Sequence, residues 1–422
     1  MSKILILNRE INPGQQYDIW DKCANNNFIA EYQKYYGNEA CINFGNKLWF
    51  QSIVSIIQSP ENEIVFKNNE MSNDYINSNF DMIIFPTANC FSEIFESRLE
   101  ANIEFLKNIK IPVYMIACGV QADDYNHLDL LIKKIGDTSK RFIEAVYNTG
   151  GEFALRGFFS KQFFDKLGSN TAVVTGCPSL YQMGRNLFID NKKVSLSRFN
   201  PIFNGDAGKK YCNEYKKSFF IDQETFLFYL YDKTINTEKL NSKEIYRLIK
   251  VFGYDLLDLL FSNRIKLFVS MNEWYNFIKE NNFNFSYGSR IHGNIMPILA
   301  GVPALIYPKD SRVKEIAEFY SIPLAEEGSK KSLYEQYMEM DYSYFNNSFS
   351  EKYDAFEKFL SSHGIVNVIN NDNIFLNDKK YDYQNVNNEN LQILNKRLKS
   401  LNYKAYAGFL NTYRKISKRK LQ

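Results

Sequence analysis

The chain has 422 residues, of which 45% are hydrophobic and 16% aromatic, so it can build more than one core, and we expect two domains with appendages. A net charge of +3 gives no argument for nucleic-acid binding. Six cysteines without a C-x-x-C pair or metal spacing indicate a reduced, cytoplasmic protein with no bound metal, and no apolar run is long enough for a membrane span.

The first half of the chain alternates between strand and helix patterns. Buried strands are expected at 3–7, 80–86, 111–117, 153–156 and 172–175. Helices are expected at 48–57, 93–109 and 159–167. The apolar positions of the second helix would be Ile94, Leu99, Ile103 and Leu106. Such alternation predicts a parallel sheet with helices on both faces.

A second series begins near residue 190. Its strands are expected at 193–197, 218–221, 265–270, 283–287 and 304–307, with a helix at 242–260. The chain therefore predicts two Rossmann-like domains, 1–190 and 191–335, that face each other across a cleft. Open α/β sheets bind ligands beyond the carboxyl ends of their strands, so the loops there are the candidate site.

The stretch 284–303 is the most informative in the chain. The strand ends at Gly288, Ser289 can cap the next helix, and Arg290 and His292 should lie on its first turn. Free N–H groups, the helix dipole and a guanidinium there favour a phosphate or carboxylate, with an imidazole beside it. The alternative is a capped turn in which Arg290 reaches solvent and His292 fills space.

The remaining segment, 336–422, reads as a helical C-terminal extension. Residues 370–390 are rich in Asn and Asp and predict a linker. Residues 391–422 carry nine basic residues, no acidic residue and a set of apolar positions at helical spacing. This pattern is typical of a helix lying on an anionic membrane surface, and also of a solvated tail with one packed face.

These motifs resemble the polysaccharide pyruvyltransferase family. Its second-domain signature resembles the run from Gly288 to Gly293, then 300–303, then Tyr307 and Arg312. Upstream, 43–46 resembles an Asn-x-Gly-Asp element, and 111–121 a strand with a glycine turn. Arg156 with Ser160 resembles an Arg-x-x-x-Ser segment, and 176–178 an Asp-Pro segment.

The resemblance implies a GT-B-like fold and transfer of pyruvate from phosphoenolpyruvate, as a co-substrate without other cofactor, onto a sugar of a bacterial surface polysaccharide or its lipid-linked precursor. The product would be a cyclic ketal. The donor contacts it implies are Arg156, Ser289, Arg290, His292, Gly293 and Arg312. His292 would be the general acid–base group, and Arg312 or Lys309 would neutralise the departing phosphate.

Polar side chains in the first half suit the hydroxyls of a sugar acceptor, although each also suits a turn or a cap. They are Asn43, Asn46, Asn89, Ser92 and Gln121. Three departures from the family pattern fall in this half. Asn46 replaces an Asp, 87–89 replaces a glycine-rich turn, and Gly157 replaces the acidic residue that commonly follows the Arg.

These departures keep two alternatives open. The first is a nucleotide-sugar glycosyltransferase of the same GT-B type, which would share the cleft and the helix-terminus phosphate site. The second is a non-catalytic glycan- or anion-binding component of a polysaccharide assembly complex. No nucleic-acid partner is expected, and we expect a cytoplasmic protein, with peripheral contact at the inner membrane face if the basic helix binds lipid.

Overall fold

The computed structural model describes residues 1–7, 43–68, 70–223, 259, 262–268, 270–367 and 396. Two parallel sheets with helices on their faces make up this part of the chain, which confirms the α/β class and the two Rossmann-like halves. The predicted helix at 242–260, the linker at 370–390 and the basic segment at 391–422 lie outside the described residues, apart from residues 259 and 396.

The first sheet has six parallel strands in the order β2-β1-β3-β4-β5-β6. Its strands are β1 (Ser2–Ile6), β2 (Asn62–Phe66), β3 (Met82–Pro86), β4 (Val113–Cys118), β5 (Phe153–Leu155) and β6 (Val173–Val174). The helices of this lobe are α1 (Phe44–Ile57), α2 (Asn73–Asn79), α3 (Glu96–Leu106), α4 (Leu128–Tyr147) and α5 (Phe158–Lys166). We call this sheet and its helices the first lobe.

The second sheet has five parallel strands in the order β11-β10-β7-β8-β9. Its strands are β7 (Pro201–Asn204), β8 (Phe219–Asp222), β9 (Ile265–Leu267), β10 (Phe285–Gly288) and β11 (Ala304–Ile306). The helices that follow or cover them are α6 (Gly205–Lys209), α7 (Met271–Glu280), α8 (Ile291–Leu299) and α9 (Ser311–Tyr320). We call this sheet and its helices the second lobe.

Two helices follow the second sheet, which confirms a helical C-terminal part. They are α10 (Leu333–Glu339) and α11 (Ser343–Ser362). Helix α11 returns to the first lobe, where Phe356 stacks on Tyr181 at 4.9 Å between ring centroids and Arg185 makes a two-pronged ion pair with Asp354. The predicted boundary at 190 falls between the two sheets, and the domain limits themselves stay predictions.

Most predicted strands and the helices at 48–57 and 159–167 are confirmed with shifted ends. The strand predicted at 193–197 is wrong, because the second sheet begins at Pro201 and the alternating pattern before it includes Leu196, which is 62% exposed. The helix predicted at 93–109 is shorter: a 3-10 turn covers Glu93–Phe95, and Ile94 is 70% exposed, whereas the other three positions predicted to be apolar are buried. Among the described residues, no helix has the length and apolar character to cross a membrane.

Candidate functional site

The two sheets point the carboxyl ends of their strands at one cavity of about 100 Å³ that opens to solvent. The segments that follow β3 and β5 reach it from the first lobe, and those that follow β8, β10 and β11 reach it from the second. Its lining residues are Asn43, Asn46, Ala88, Asn89, Arg156, Gln223, Ser289, Arg290, Ile291, His292, Lys309, Asp310, Arg312 and Val313. Four of these side chains are cationic, so the cavity suits an anion.

Arg156 follows β5 directly and is only 3% exposed. Its Nε donates to the carbonyl oxygen of Ala117 at 2.9 Å. Ala117 has φ of +61° at an irregularity in the pairing of β4 with β5, and this left-handed backbone is uncommon for a residue with a side chain. The Nη2 atom of Arg156 is buried and has no hydrogen-bond partner within the described ranges.

The turn that carries Arg290 is held from behind by two buried asparagines. Asn204 Oδ1 accepts from the backbone N–H of Arg290 at 3.0 Å. Asn294 Nδ2 donates to the carbonyls of Gly288 and Arg290 at 3.1 and 3.0 Å. These bonds fix the turn between β10 and α8, although neither asparagine was singled out in the sequence.

The predicted capping role of Ser289 is wrong. Arg290 occupies the N-cap of α8 and no side chain caps there. The Ser289 hydroxyl instead lies against α6, where it accepts a long bond from the N–H of Ala207 at 3.5 Å. The helix therefore begins one residue later than expected, so Arg290 immediately precedes its first turn and His292 lies on it.

His292 is 5% exposed and lines the cavity. Burial, together with the nearby charges of Arg156 and Arg312, lowers its pKa to about 3. The empty site therefore holds a neutral imidazole at neutral pH. An anion bound between the two guanidinium groups would offset their charge and raise this pKa. The ring could then accept a proton and donate it in a later step.

Cys177 lies behind the imidazole, with its Sγ 3.9 Å from His292 Nε2 and 3.0 Å from the hydroxyl of Ser179. The thiol is fully buried. Tyr320 fixes its backbone, since the phenol accepts from Cys177 N–H at 2.8 Å and donates to its carbonyl at 3.0 Å. No pattern in the sequence indicated that this thiol would lie beside His292.

The remaining cations follow β11, with Lys309 in the loop before α9 and Arg312 on the first turn of α9, and each has a carboxylate partner. Arg312 donates from Nη2 to Oδ2 of Asp310 at 2.6 Å, and Asp310 also caps α9. Lys309 pairs with Asp206 at 3.0 Å. These carboxylates offset part of the positive charge that Arg312 and Lys309 bring to the cavity.

The candidate acceptor residues divide into two groups. Asn43, Asn46 and Asn89 line the cavity, although Asn43 also caps α1 through the N–H of Gly45. Ser92 and Gln121 lie outside the lining, and Gln121 accepts from Asn89 Nδ2 at 2.5 Å.

Gly293, a candidate donor contact, also lies outside the lining. A Cβ on it would lie 2.6 Å from Cγ and 2.9 Å from Cβ of Asn204, so the close approach of this buried asparagine requires glycine here.

Sequence reasoning missed Gln223, which follows β8, is 2% exposed and lines the cavity. Its Nε2 has no partner among the residues that the structure describes. Gly45 was noted only as part of a motif, yet a Cβ there would lie 2.9 Å from Cβ of His292. The end of the strand predicted at 218–221 was the one signal in the sequence that pointed to Gln223.

In the described part of the chain, no cluster of three or more His, Cys, Asp or Glu forms a metal site.

Solved structures similar to the chain include S. aureus MnaA with UDP, at 12% identity over 87% of this chain and 98% of that chain, with a TM-score of 0.39. Another is the Methanocaldococcus jannaschii UDP-GlcNAc 2-epimerase, at 13% identity over 86% and 100%, with a TM-score of 0.42. The glycosyltransferase SnogD from Streptomyces nogalater is 11% identical over 85% and 95%, with a TM-score of 0.30.

No match was found among curated proteins. A family model described as polysaccharide pyruvyl transferase matches residues 12–311, which is well over half of the chain and includes every motif named above except Arg312. The match confirms the resemblance and implies a transferase. The chain therefore belongs to the polysaccharide pyruvyl transferase family.

Proposed function

We propose that the protein transfers pyruvate from phosphoenolpyruvate onto a sugar of a bacterial surface polysaccharide or its lipid-linked precursor. Family membership supports pyruvyl transfer to a polysaccharide. The choice of donor is supported by the cavity, where cations from both lobes meet a neutral imidazole. Phosphoenolpyruvate carries a phosphate and a carboxylate on one carbon, so it needs cationic groups on two sides.

The observation that carries the proposal is the buried Nη2 of Arg156, which lacks a hydrogen-bond partner among the described residues. An unpaired buried donor on a charged group is costly, and an oxyanion in the cavity would satisfy it. Arg290 approaches the same cavity from the other lobe. The planar guanidinium fork binds carboxylate or phosphate through two parallel bonds, so two such groups suit the two anionic ends of the donor.

Ketal formation adds a proton to the methylene carbon of the donor, joins C2 to two sugar oxygens and releases inorganic phosphate. Each sugar hydroxyl loses its proton as its oxygen bonds to C2. We assign the proton transfers to His292, whose ring is neutral in the empty site and gains basicity when the anionic donor screens Arg156 and Arg312. Arg312 and Lys309 stabilise the departing phosphate.

The acceptor sugar lies against Asn43, Asn46 and Asn89 in this proposal, because their amides offer both donors and acceptors to hydroxyls. We also propose a reducing, cytoplasmic setting. The four described cysteines are free thiols, including Cys90 and Cys118, whose Sγ atoms lie 3.3 Å apart.

The test is a turnover assay with phosphoenolpyruvate and a panel of surface glycans and lipid-linked oligosaccharides. We expect release of phosphate and a matching mass gain on one glycan, and we expect His292→Ala to abolish both. A wild-type protein that neither releases phosphate nor binds the donor would contradict the proposal.

A thermal-shift screen compares the alternatives. Stabilisation by UDP or CMP but not by phosphoenolpyruvate would instead support a nucleotide-sugar glycosyltransferase. A non-catalytic component would leave the cellular polysaccharide unchanged in the His292→Ala strain but not in the deletion strain.

A further inference from the structure

Helix α5 begins with a residue that has no side chain to cap it. Gly157 occupies the N-cap position, immediately after Arg156. The acceptor for the third N–H of the helix comes from the second lobe. Glu315 of α9 accepts from Ser160 N–H through Oε1 at 2.5 Å and from the Ser160 hydroxyl through Oε2 at 3.0 Å. An Asp at an N-cap would accept the same N–H from within the helix.

The glycine at position 157 is explained by this carboxylate and not by the backbone. Gly157 has φ of 179°, which is extended backbone that any residue adopts. A Cβ on Gly157, however, would lie 2.4 Å from Cγ of Glu315. Glu315 therefore fills the space that a capping side chain at position 157 would need. A carboxylate at position 157 and a carboxylate at position 315 are therefore alternative caps for the N-terminus of α5.

Glu315 is also connected to the placement of Arg156. It is 2% exposed, and its charge faces that of Arg156. Ser160 Oγ, which donates to Glu315, accepts in turn from Val120 N–H at 3.0 Å. Val120 lies just after the Ala117–Cys118 backbone that holds Arg156. One bonded chain thus runs from α9 to the loop that orients the buried guanidinium.

The same helix brings its own cation to the cavity. Arg312 on its first turn lines the cavity, and the hydroxyl of Ser311 beside it accepts from the N–H of Ala122 in the first lobe at 2.9 Å. Burial raises the pKa of Glu315 to about 7, against the bonds from Ser160 and the charge of Arg156, while Glu318 adds to the rise. Contacts along α9 therefore join the two lobes beside the donor cavity.

We propose that Glu315 is a positioning residue that caps α5 from across the cleft, so that Arg156 reaches its donor-binding position only when the lobes are together. The kinetic part of this inference rests on the proposed function. The structural part, a shared capping role for positions 157 and 315, does not depend on which anion the cavity takes.

The test compares wild type with Glu315→Ala, Gly157→Asp and the double variant. Each single change should raise KM for phosphoenolpyruvate about tenfold, because the first removes the cap and the second drives a side chain into Glu315. The double variant should return to within about threefold of wild type, since the new carboxylate caps α5 from the N-cap itself. A double variant whose KM shows the two losses multiplied would overturn the proposal.

A control variant and an unfolding measurement complete this test. Glu318→Ala is the matched control, because Glu318 is also an acidic residue of α9 that reaches the first lobe, through a 2.6 Å bond from Tyr125, but at the surface. Its KM should change less than twofold. Urea unfolding of the same four proteins needs no donor: a midpoint that recovers in the double variant supports the shared role, and additive losses contradict it even if no pyruvyl transfer is found.

Discussion

Cys177 Sγ lies 3.9 Å from His292 Nε2, so a thiol and not a carboxylate stands behind the imidazole of the cavity. The low pKa of His292, about 3, is set by burial and by the nearby charges of Arg156 and Arg312. An anionic ligand between these two groups would restore the basicity of the ring.

Cys177→Asp should raise the pKa of His292, because a carboxylate at this distance stabilises the imidazolium form. Cys177→Asn is the control of matching shape without the charge. The chain has only three histidines, so the ring signals can be assigned by substitution and followed by NMR against pH. An unchanged His292 titration in the Asp variant would show that the thiol does not lie behind this ring.

The pKa of His292 also makes a prediction about stability. Its folded pKa of about 3 lies below its unfolded value of 6.5, so the unfolded chain binds more protons between these values. The empty protein should therefore lose stability as pH falls from about 6.5 toward 3, and His292→Gln should lose less. Urea unfolding at pH 7.5 and pH 5 measures the difference.

The control for this pH effect is His127→Gln, at a ring that is about half exposed. That variant should follow the wild-type pH dependence closely. If His292→Gln and wild type lose equal stability between the two pH values, the ring is not buried as a neutral group.

Substitution of Gly45 tests how closely α1 of the first lobe packs against His292. A Cβ here would lie 2.9 Å from Cβ of His292 and 2.3 Å from Gln223 Oε1. Gly45→Ala should therefore lower kcat at least about tenfold by displacing these side chains, since small misplacements at a reacting centre are costly. Gly136→Ala in α4 is the control, because its nearest side-chain contact is 3.3 Å and alanine favours a helix. Equal activity in both variants would contradict the packing described here.

Much of the cavity was predictable because strand ends are visible in the sequence. Apolar runs ending before Arg156 and before Gly288 placed both arginines at the carboxyl edge of a sheet, and family resemblance named their role. The contacts between lobes were not predictable, because they join residues distant along the chain. Nothing in the local sequence of α9 indicates that Glu315 is buried, and only the structure brings it to Ser160.

Predictions of helices and strands from apolar periodicity were also wrong where the burial of the side chains does not follow that periodicity. Helix α4 was not predicted, because its buried face includes Gly136, Thr138 and Ser139, which weaken the apolar pattern. The alternation around Leu196 resembled a strand, but that side chain is exposed and the sheet begins at Pro201. Both errors arise because the periodicity of a sequence reports only the character of its side chains. Burial and strand pairing depend on neighbours that are distant in sequence.

Arg156 should contribute to ligand binding more than to folding. Arg156→Met removes a buried charge whose Nη2 has no partner among the described residues, together with the Nε bond to Ala117. The desolvation cost of the buried charge offsets part of the lost bond, so we expect the empty variant to lose less than about 2 kcal/mol in its free energy of unfolding. Phosphoenolpyruvate should raise the melting temperature of wild type but not of the variant.

Arg185→Met is the control for that experiment, since this exposed arginine pairs with Asp354 far from the cavity lining. It should keep the full ligand-induced shift. A large loss of stability in empty Arg156→Met would mean that the guanidinium serves the fold instead of a ligand.

The central claim is that cations from the two lobes hold one phosphoenolpyruvate between them. Calorimetric titration of phosphoenolpyruvate into wild type, Arg156→Ala, Arg290→Ala and Arg185→Ala tests it most directly. We predict one binding site in wild type, a loss of affinity of about 10- to 100-fold in each of the two cavity variants, and no loss in Arg185→Ala. No binding to wild type, or equal affinity in all four proteins, would contradict the account.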